Sequence, residues 1–316
     1  MEPPDKIRIV FMGTPAFALP CLEALKKTED EIGAVVTQPD KPAGRGRKVT
    51  PSPVKSWAVA QGLPALEPKS LKASAAQEIL IQLKPELILV VAYGKFLPNE
   101  VLNLPRLGCV NLHASLLPKY RGPAPIQWAL LNNEKEVGVT SHFMSEAMDA
   151  GDILLQKAIA VGPNDTLVSL EKRLSRLGAE LLVETVRGLK TGLLKGIPQS
   201  EEQATYAPKL KKEDGKIDWR KGALEVELKV RALNPWPGTF TQYRGKSLKV
   251  LSARALDEAL AGRPGEIVGL TQQGWEVACS QGILLVSEVQ PENGKRMSAY
   301  NFALGHKVAA GMVLEG

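Results

Sequence analysis

Cysteine is scarce in this 316-residue chain: Cys21, Cys109 and Cys279 are widely separated and odd in number. With no C-x-x-C pair, they exclude a disulfide framework, a redox pair and a zinc ribbon, and they read as buried, reduced thiols. Histidine is equally sparse. His113, His142 and His306 form no H-x-H or H-x-x-x-H motif, so no metal is expected, with His113, His142 and Asp149 as the one combination worth testing. No apolar run approaches the roughly 18–20 residues that span a bilayer. The first five residues, MEPPD, carry no leader pattern, so no targeting peptide and a cytoplasmic location are expected. A G-x-S-x-G nucleophile elbow and a P-loop are also missing. The dinucleotide fingerprint fails because Pro15 stands where its second glycine belongs.

What remains is an ordinary globular balance, 44% hydrophobic and 23% charged, with a net charge of +6. The length suits two domains. Residues 1–203 carry 24 Lys and Arg against 22 Asp and Glu, whereas residues 204–316 carry 16 against 12, so most of the basic excess lies in the smaller C-terminal part. The first 160 residues alternate strands and helices. Ile7–Met12, Ile32–Thr37 and Glu86–Tyr93 read as buried strands, joined by Val110–Leu112 and by the alternating Val137–Met144. Thr14-Pro15 reads as the cap of a first helix, and Ser52-Pro53 as the start of another. Ser70–Leu83 reads as a third helix, and Asp165-Thr166 as the cap of a long helix to about Lys190. This pattern predicts an α/β fold with a Rossmann-like, doubly wound, mainly parallel sheet. Beyond a Gly-, Lys- and Pro-rich stretch, Ala223–Leu233 reads as a helix. Short alternating segments at 239–243, 247–253, 265–270, 275–279 and 283–289 then suggest a small antiparallel, OB-like barrel. The expected domains are residues 1–190 and 209–316, with 191–208 as linker.

Two clusters could carry chemistry. On an extended segment Asn111 and His113 share a face, ahead of the proline-stiffened loop Ser115–Pro125. Asp149 precedes a tight turn in the sequence DAGD. Read blandly, the first caps a turn and the second is a turn aspartate. Read together, they supply an amide, an imidazole and a carboxylate for acyl transfer without a covalent enzyme intermediate. Asp149 would keep His113 charged, and the imidazolium with the Asn111 amide would stabilise an oxyanion. Lys41, Arg45, Arg47 and Lys48 lie in one glycine-rich loop, which is either a solvated surface or a clamp on phosphates. Lys209, Lys211 and Lys212 form a second basic stretch. The aromatics Trp236, Phe240 and Tyr243 that follow it suit either a barrel core or a stacking platform.

These segments resemble the methionyl-tRNA formyltransferases. The likeness runs through FMGTPAFA at 11–18, VTQPDKPAGRG at 36–46, NLHASLLPKYRG at 111–122, DAGD at 149–152 and NPWPGTF at 234–240. The N-x-H, SLLP and D-x-G motifs belong to the wider group that uses 10-formyltetrahydrofolate. The TQPDKPAGRG loop and the NPWPGTF-bearing C-terminal part point to tRNA. The resemblance implies that Asn111, His113 and Asp149 are catalytic. It implies that the folate co-substrate lies against Ala92, Tyr93, Gly94, Phe96 and Leu97 and against Ser115, Leu116, Leu117 and Pro118, with backbone groups reading the pterin. It further implies that Lys41, Arg45, Arg47 and Lys48 grip the acceptor stem of initiator methionyl-tRNA, and that Lys209, Lys211 and Lys212 contact the tRNA elsewhere. A monomer is expected. The alternatives are formylation of an amino sugar nucleotide, and a non-catalytic RNA-binding protein. The residue after His113 is Ala114, where the wider group often has Gly or Pro, and Pro123 stands where Ala is common.

Overall fold

Apolar runs closed by turn residues build the first sheet. The protein is described by a computed structural model over residues 6–43, 48–256 and 262–316. The strands and helices run β1 (Arg8–Gly13), α1 (Leu19–Leu25), β2 (Glu31–Val36), a hairpin of β3 (Lys41–Ala43) and β4 (Lys48–Thr50), α2 (Pro53–Ala60), β5 (Ala65–Leu66), α3 (Ser74–Gln82), β6 (Leu87–Val91), α4 (Asn99–Leu102), β7 (Cys109–His113), α5 (Pro125–Leu131), β8 (Glu136–Phe143), β9 (Ile153–Ala160) and α6 (Leu167–Lys190). The strand order is β5-β2-β1-β6-β7-β8-β9. Pairing is parallel from β5 to β7 and antiparallel for β8 and β9. The expected mainly parallel α/β sheet is therefore present. Every residue of β6 is buried, which is why its sequence shows no alternation.

Local signals held unevenly. Ser52 caps α2, its hydroxyl accepting from the Lys55 N–H at 3.1 Å. Thr166 and Ser169 cap α6 reciprocally, each side chain accepting from the other's N–H. Thr14 does not cap α1. Its hydroxyl donates to the Tyr93 carbonyl two residues beyond β6, and the helix begins only after a 3-10 turn at Ala16–Ala18. Helix α3 starts four residues later than its sequence suggested, because residues 70–73 form a turn.

The chain forms two units. The first comprises the described residues to Pro125 together with Glu136–Ala160 and Glu171–Ala207; the second comprises Ile126–Lys135, Val161–Leu170 and Pro208–Gly316. Part of the stretch expected as linker is tied into the first unit, through bridges Ile153↔Ile197 and Arg121↔Tyr206.

The second unit contributes α7 (Ala223–Leu233), β10 (Thr239–Tyr243), β11 (Lys246–Leu256), β12 (Ile267–Thr271), β13 (Gly274–Ala278), β14 (Ile283–Pro291), β15 (Met297–Ser298) and α8 (Ala299–His306). Its antiparallel sheet runs β10-β11-β14-β13-β12, with β15 on β14. The last residues of the chain tie down both edges, through bridges Gln242↔Glu315 on β10 and Glu266↔Val313 beside β12. The core gathers Trp219, Trp275, Phe302, Val226 and Leu248. Helix α8 and strand β15 have no counterpart in the sequence reading. Among the described residues, no helix is long and apolar enough to cross a membrane.

Candidate active site

The sheet carries Asn111 and His113 on β7, and β8 is registered so that Asn111 lies opposite His142. The DAGD turn brings Asp149 to both. Asp149 has φ +52°, a left-handed conformation that Asp tolerates better than most residues. Gly151 is required beside it, because a Cβ there would overlap the Phe143 carbonyl of β8. Gly122, at φ +123°, passes so close to Ala207 that a Cβ would lie 2.7 Å from its carbonyl oxygen.

Four polar side chains thereby meet in a largely buried cluster. The Asp149 Oδ2 atom accepts from the Gly122 N–H at 2.9 Å and lies 3.6 Å from His113 Nδ1. His113 Nε2–H donates to the Tyr120 carbonyl at 2.9 Å. His142 Nδ1–H donates to the Phe143 carbonyl at 2.8 Å. A carbonyl only accepts, so that bond fixes the proton on Nδ1 and leaves the Nε2 lone pair of His142 as an acceptor. Asn111 Nδ2 supplies the donor at 3.1 Å and also donates to Asp149 Oδ1 at 3.3 Å. His113 and His142 are 6% and 2% exposed.

One sequence expectation changes here. His113 was expected to be charged through Asp149; instead burial dominates and pushes the imidazole pKa below its ordinary value, although Asp149 and the Tyr120 carbonyl pull the other way. The Asn111 amide was expected to stabilise an oxyanion; at rest both its hydrogens are engaged, by His142 and by Asp149. Burial pushes the Asp149 carboxyl up, but the protonated forms of His142 and His113, whose ring nitrogens lie 3.7 and 3.6 Å from its oxygens, together with the Gly122 N–H, outweigh it and hold it below the usual carboxylate range. His142 is the residue sequence reasoning missed, having been weighed only as a metal ligand. Its tie to Asn111 comes from the β7–β8 registry, which the sequence does not carry. The donor atoms of His113, His142 and Asp149 serve one another and the backbone, and among the described residues no group is arranged to hold a metal.

The other singled-out residues divide by side-chain direction. After β6, Ala92, Gly94 and Phe96 are exposed, while Tyr93 and Leu97 turn into the hydrophobic core. The Tyr93 carbonyl accepts from Thr14 Oγ1 and from Gln38 Nε2. Ser115, Leu116, Leu117 and Pro118 form a pinned loop. Ser115 Oγ donates to the Lys119 carbonyl, Thr140 Oγ1 donates to the Ser115 carbonyl and accepts from the Leu117 N–H, and Gln156 Nε2 donates to the Leu117 carbonyl. Lys41 is exposed, its Nζ donating to Gln38 Oε1 at 2.7 Å. Arg45 and Arg47 lie outside the described residues, and Lys48 is described through its backbone alone. In the second unit Lys209, Lys211, Lys212 and Trp236 are exposed, whereas Tyr243 is buried.

Comparison with known proteins supplies a frame for this geometry. Residues 6–186 match the formyl transferase family and residues 209–307 its C-terminal domain. The methionyl-tRNA formyltransferase of Syntrophus aciditrophicus is 46% identical over 98% of this chain and 99% of its own length. That of Methylococcus capsulatus is 48% identical over 96% and 98%. Among solved structures, an N-formyltransferase from Helicobacter canadensis in complex with folinic acid and dTDP-3-aminofucose superposes with TM-score 0.68 at 18% identity, over 90% of this chain and all of that one. HypX from Aquifex aeolicus in complex with tetrahydrofolic acid superposes with TM-score 0.65 at 19% identity over 94% of this chain. This chain spans 47% of that longer protein. At such identities these two share the fold alone.

Proposed function

The chain belongs to the methionyl-tRNA formyltransferases, and from that premise we propose how its residues formylate initiator methionyl-tRNA. The donor is 10-formyltetrahydrofolate. The observation that carries the reading is the convergence of Asn111, His113 and His142 on the Asp149 carboxylate.

The free α-amine of the methionyl group attacks the formyl carbon. A C–N bond forms, the carbonyl π pair moves to oxygen, and the nitrogen becomes positive. Asp149, ionised at rest, takes the surplus proton directly or through water. Protonation weakens its hold on the Asn111 N–H at 3.3 Å, the longer of that amide's two bonds. The released N–H then faces the developing oxyanion. His113, neutral at rest, holds the amine's proton at Nδ1 in the next step, as an imidazolium beside Asp149, and passes it to the leaving folate nitrogen. The bond from the formyl carbon to that nitrogen breaks, leaving tetrahydrofolate and formylmethionyl-tRNA.

Residues 92–97 fit the flat folate ring system: Ala92 and Gly94, with φ +49° and +77°, leave main-chain groups at the surface. Phe96 and Met148, 69% and 46% exposed, offer apolar contact. The pinned 115–118 loop supports the same side. Lys41, Arg45, Arg47 and Lys48 bind acceptor-stem phosphates, and Lys209, Lys211 and Lys212 bind phosphates of the same tRNA. The protein acts as a monomer in the cytoplasm, where translation starts.

The test mixes charged initiator and elongator methionyl-tRNAs with 10-formyltetrahydrofolate and the protein. A formylated α-amine on the initiator species is the expected result. Formyl transfer to neither tRNA, or to an amino sugar nucleotide in their place, would overturn the reading.

A further inference from the structure

Gln199 lies in the stretch that the sequence offers as linker, yet both ends of its carboxamide are committed. Nε2 donates to the carbonyls of Asp149 and Gly151, at 2.8 and 2.7 Å. Oε1 accepts from Nε and Nη2 of Arg121, at 3.1 and 2.9 Å. Arg121 is 2% exposed, and its Nη1 and Nη2 atoms also reach the two carboxylate oxygens of Glu201. Only one orientation of the amide satisfies these partners, since the guanidinium has no acceptor and the carbonyls have no donor.

The same segment fixes the other side of Asp149. The Arg121 N–H donates to the Thr205 carbonyl at 2.9 Å, and the Ala207 N–H donates to the Arg121 carbonyl at 2.8 Å. This pairing sets Gly122, whose N–H binds the Asp149 carboxylate. Residues 199–207 thus hold the Asp149 backbone through Gln199 and its carboxylate through Gly122. A left-handed aspartate has few conformational reasons to stay where it is, so its placement depends on such a hold.

We propose that Gln199 is a positioning residue for formyl transfer: it locks the Asp149–Gly151 turn, and Arg121, braced by Glu201, locks Gln199. The proposal rests on the assignment of Asp149 to the transfer step. Bonds from Gln199 reach only main-chain oxygens of the turn, so its effect on the reaction passes through Asp149.

The experiment compares the wild type with Gln199→Ala, Gln199→Glu and Asp149→Asn, reading kcat, KM for both substrates, the pH–rate profile and thermal unfolding. Gln199→Glu keeps the size and the Arg121 pair but sets an oxygen against two carbonyls. In both Gln199 variants kcat should fall by about 10- to 100-fold, the cost of a misplaced reacting group, with both KM values unchanged. Gln199→Glu should be at least as slow as Gln199→Ala. The acidic limb of the profile should move to higher pH as Asp149 drifts from the Gly122 N–H and from the titratable groups that face it, His113 on β7 and His142 on β8. A brace without a positioning role would lower thermal stability and leave the kcat and profile of the folded protein unmoved, which would overturn the proposal; so would wild-type kcat in Gln199→Glu. If Gln199→Glu does not fold, Gln199→Asn carries the test: it keeps both amide hydrogens but is too short to span Arg121 and both carbonyls, so its kcat must also fall. Full activity in Asp149→Asn would overturn the underlying assignment together with the proposal. An inactive Asp149→Asn beside normal Gln199 variants would overturn the proposal alone.

Discussion

The two units treat buried polar groups in opposite ways. In the second unit each buried indole N–H ends on a single acceptor, Trp275 on the Ala299 carbonyl and Trp219 on Thr241 Oγ1, and the surroundings are apolar. In the first unit Asn111, His113, His142 and Asp149 share partners, bonding both to one another and to the backbone. A polar group closed off by one fixed partner contributes to stability and stays put. A set of groups that share partners can exchange them when one proton moves, and inside a protein such networks carry large energies in either direction. The first unit concentrates chemistry where the second concentrates packing.

The largest effect that could break this comparison is on rate. His113→Ala should lower kcat by about 10²–10⁴-fold, the usual worth of a positioned proton-transfer group, against a stability loss of only about 1–3 kcal/mol from the unpaired Tyr120 carbonyl. Next comes the packed counterpart. Trp275 is 1% exposed and packs on Phe302, with ring centroids 5.5 Å apart. Trp275→Ala should cost about 3–5 kcal/mol of unfolding free energy, read by denaturant titration, with the rate per folded molecule preserved.

A smaller effect sharpens the comparison. His142→Leu leaves one Asn111 N–H without its acceptor, a penalty of about 1–3 kcal/mol, and steady-state assays should show kcat reduced about tenfold. His142→Gln restores an acceptor oxygen and should recover most of that loss. The pH dependence follows from burial of His113. Its folded pKa lies below the unfolded value of about 6.5, so the unfolded state binds more protons between the two. The stability from keeping His113 neutral is therefore present above about pH 6.5 and is lost as pH falls through the folded pKa. Urea titrations from about pH 7 to pH 5 should show this decline, and His113→Asn should make it shallower. The smallest effect belongs to the exposed lysines. Changing Lys209, Lys211 and Lys212 together to Gln should reduce the salt slope of tRNA binding by up to about 3 and leave kcat at saturation unchanged.

The same contrast explains what the sequence disclosed. The buried strands of the first sheet and helix α7 were legible because they rest on local apolar runs. Asn111 and His113 were legible as a pair because a strand's period of two places them on one face. His142 was not, because its tie to Asn111 comes from antiparallel registry between β7 and β8, thirty-one residues apart in sequence. Gln199 was hidden for a similar reason: its partners, Arg121 and the Asp149 turn, lie far along the chain. The neutrality of His113 was misread because sequence shows a nearby carboxylate but not the burial that outweighs it. Thr14 was misread as a cap because only the folded sheet reveals the Tyr93 carbonyl that takes its hydroxyl.

The most direct test of the polar cluster as the seat of the chemistry is single-turnover formyl transfer from 10-formyltetrahydrofolate to methionyl initiator tRNA, with tRNA binding measured on the same samples. Asp149→Ala and His113→Ala should each bind tRNA as the wild type does and fail in the transfer step. Intact single-turnover transfer in both variants would contradict the account.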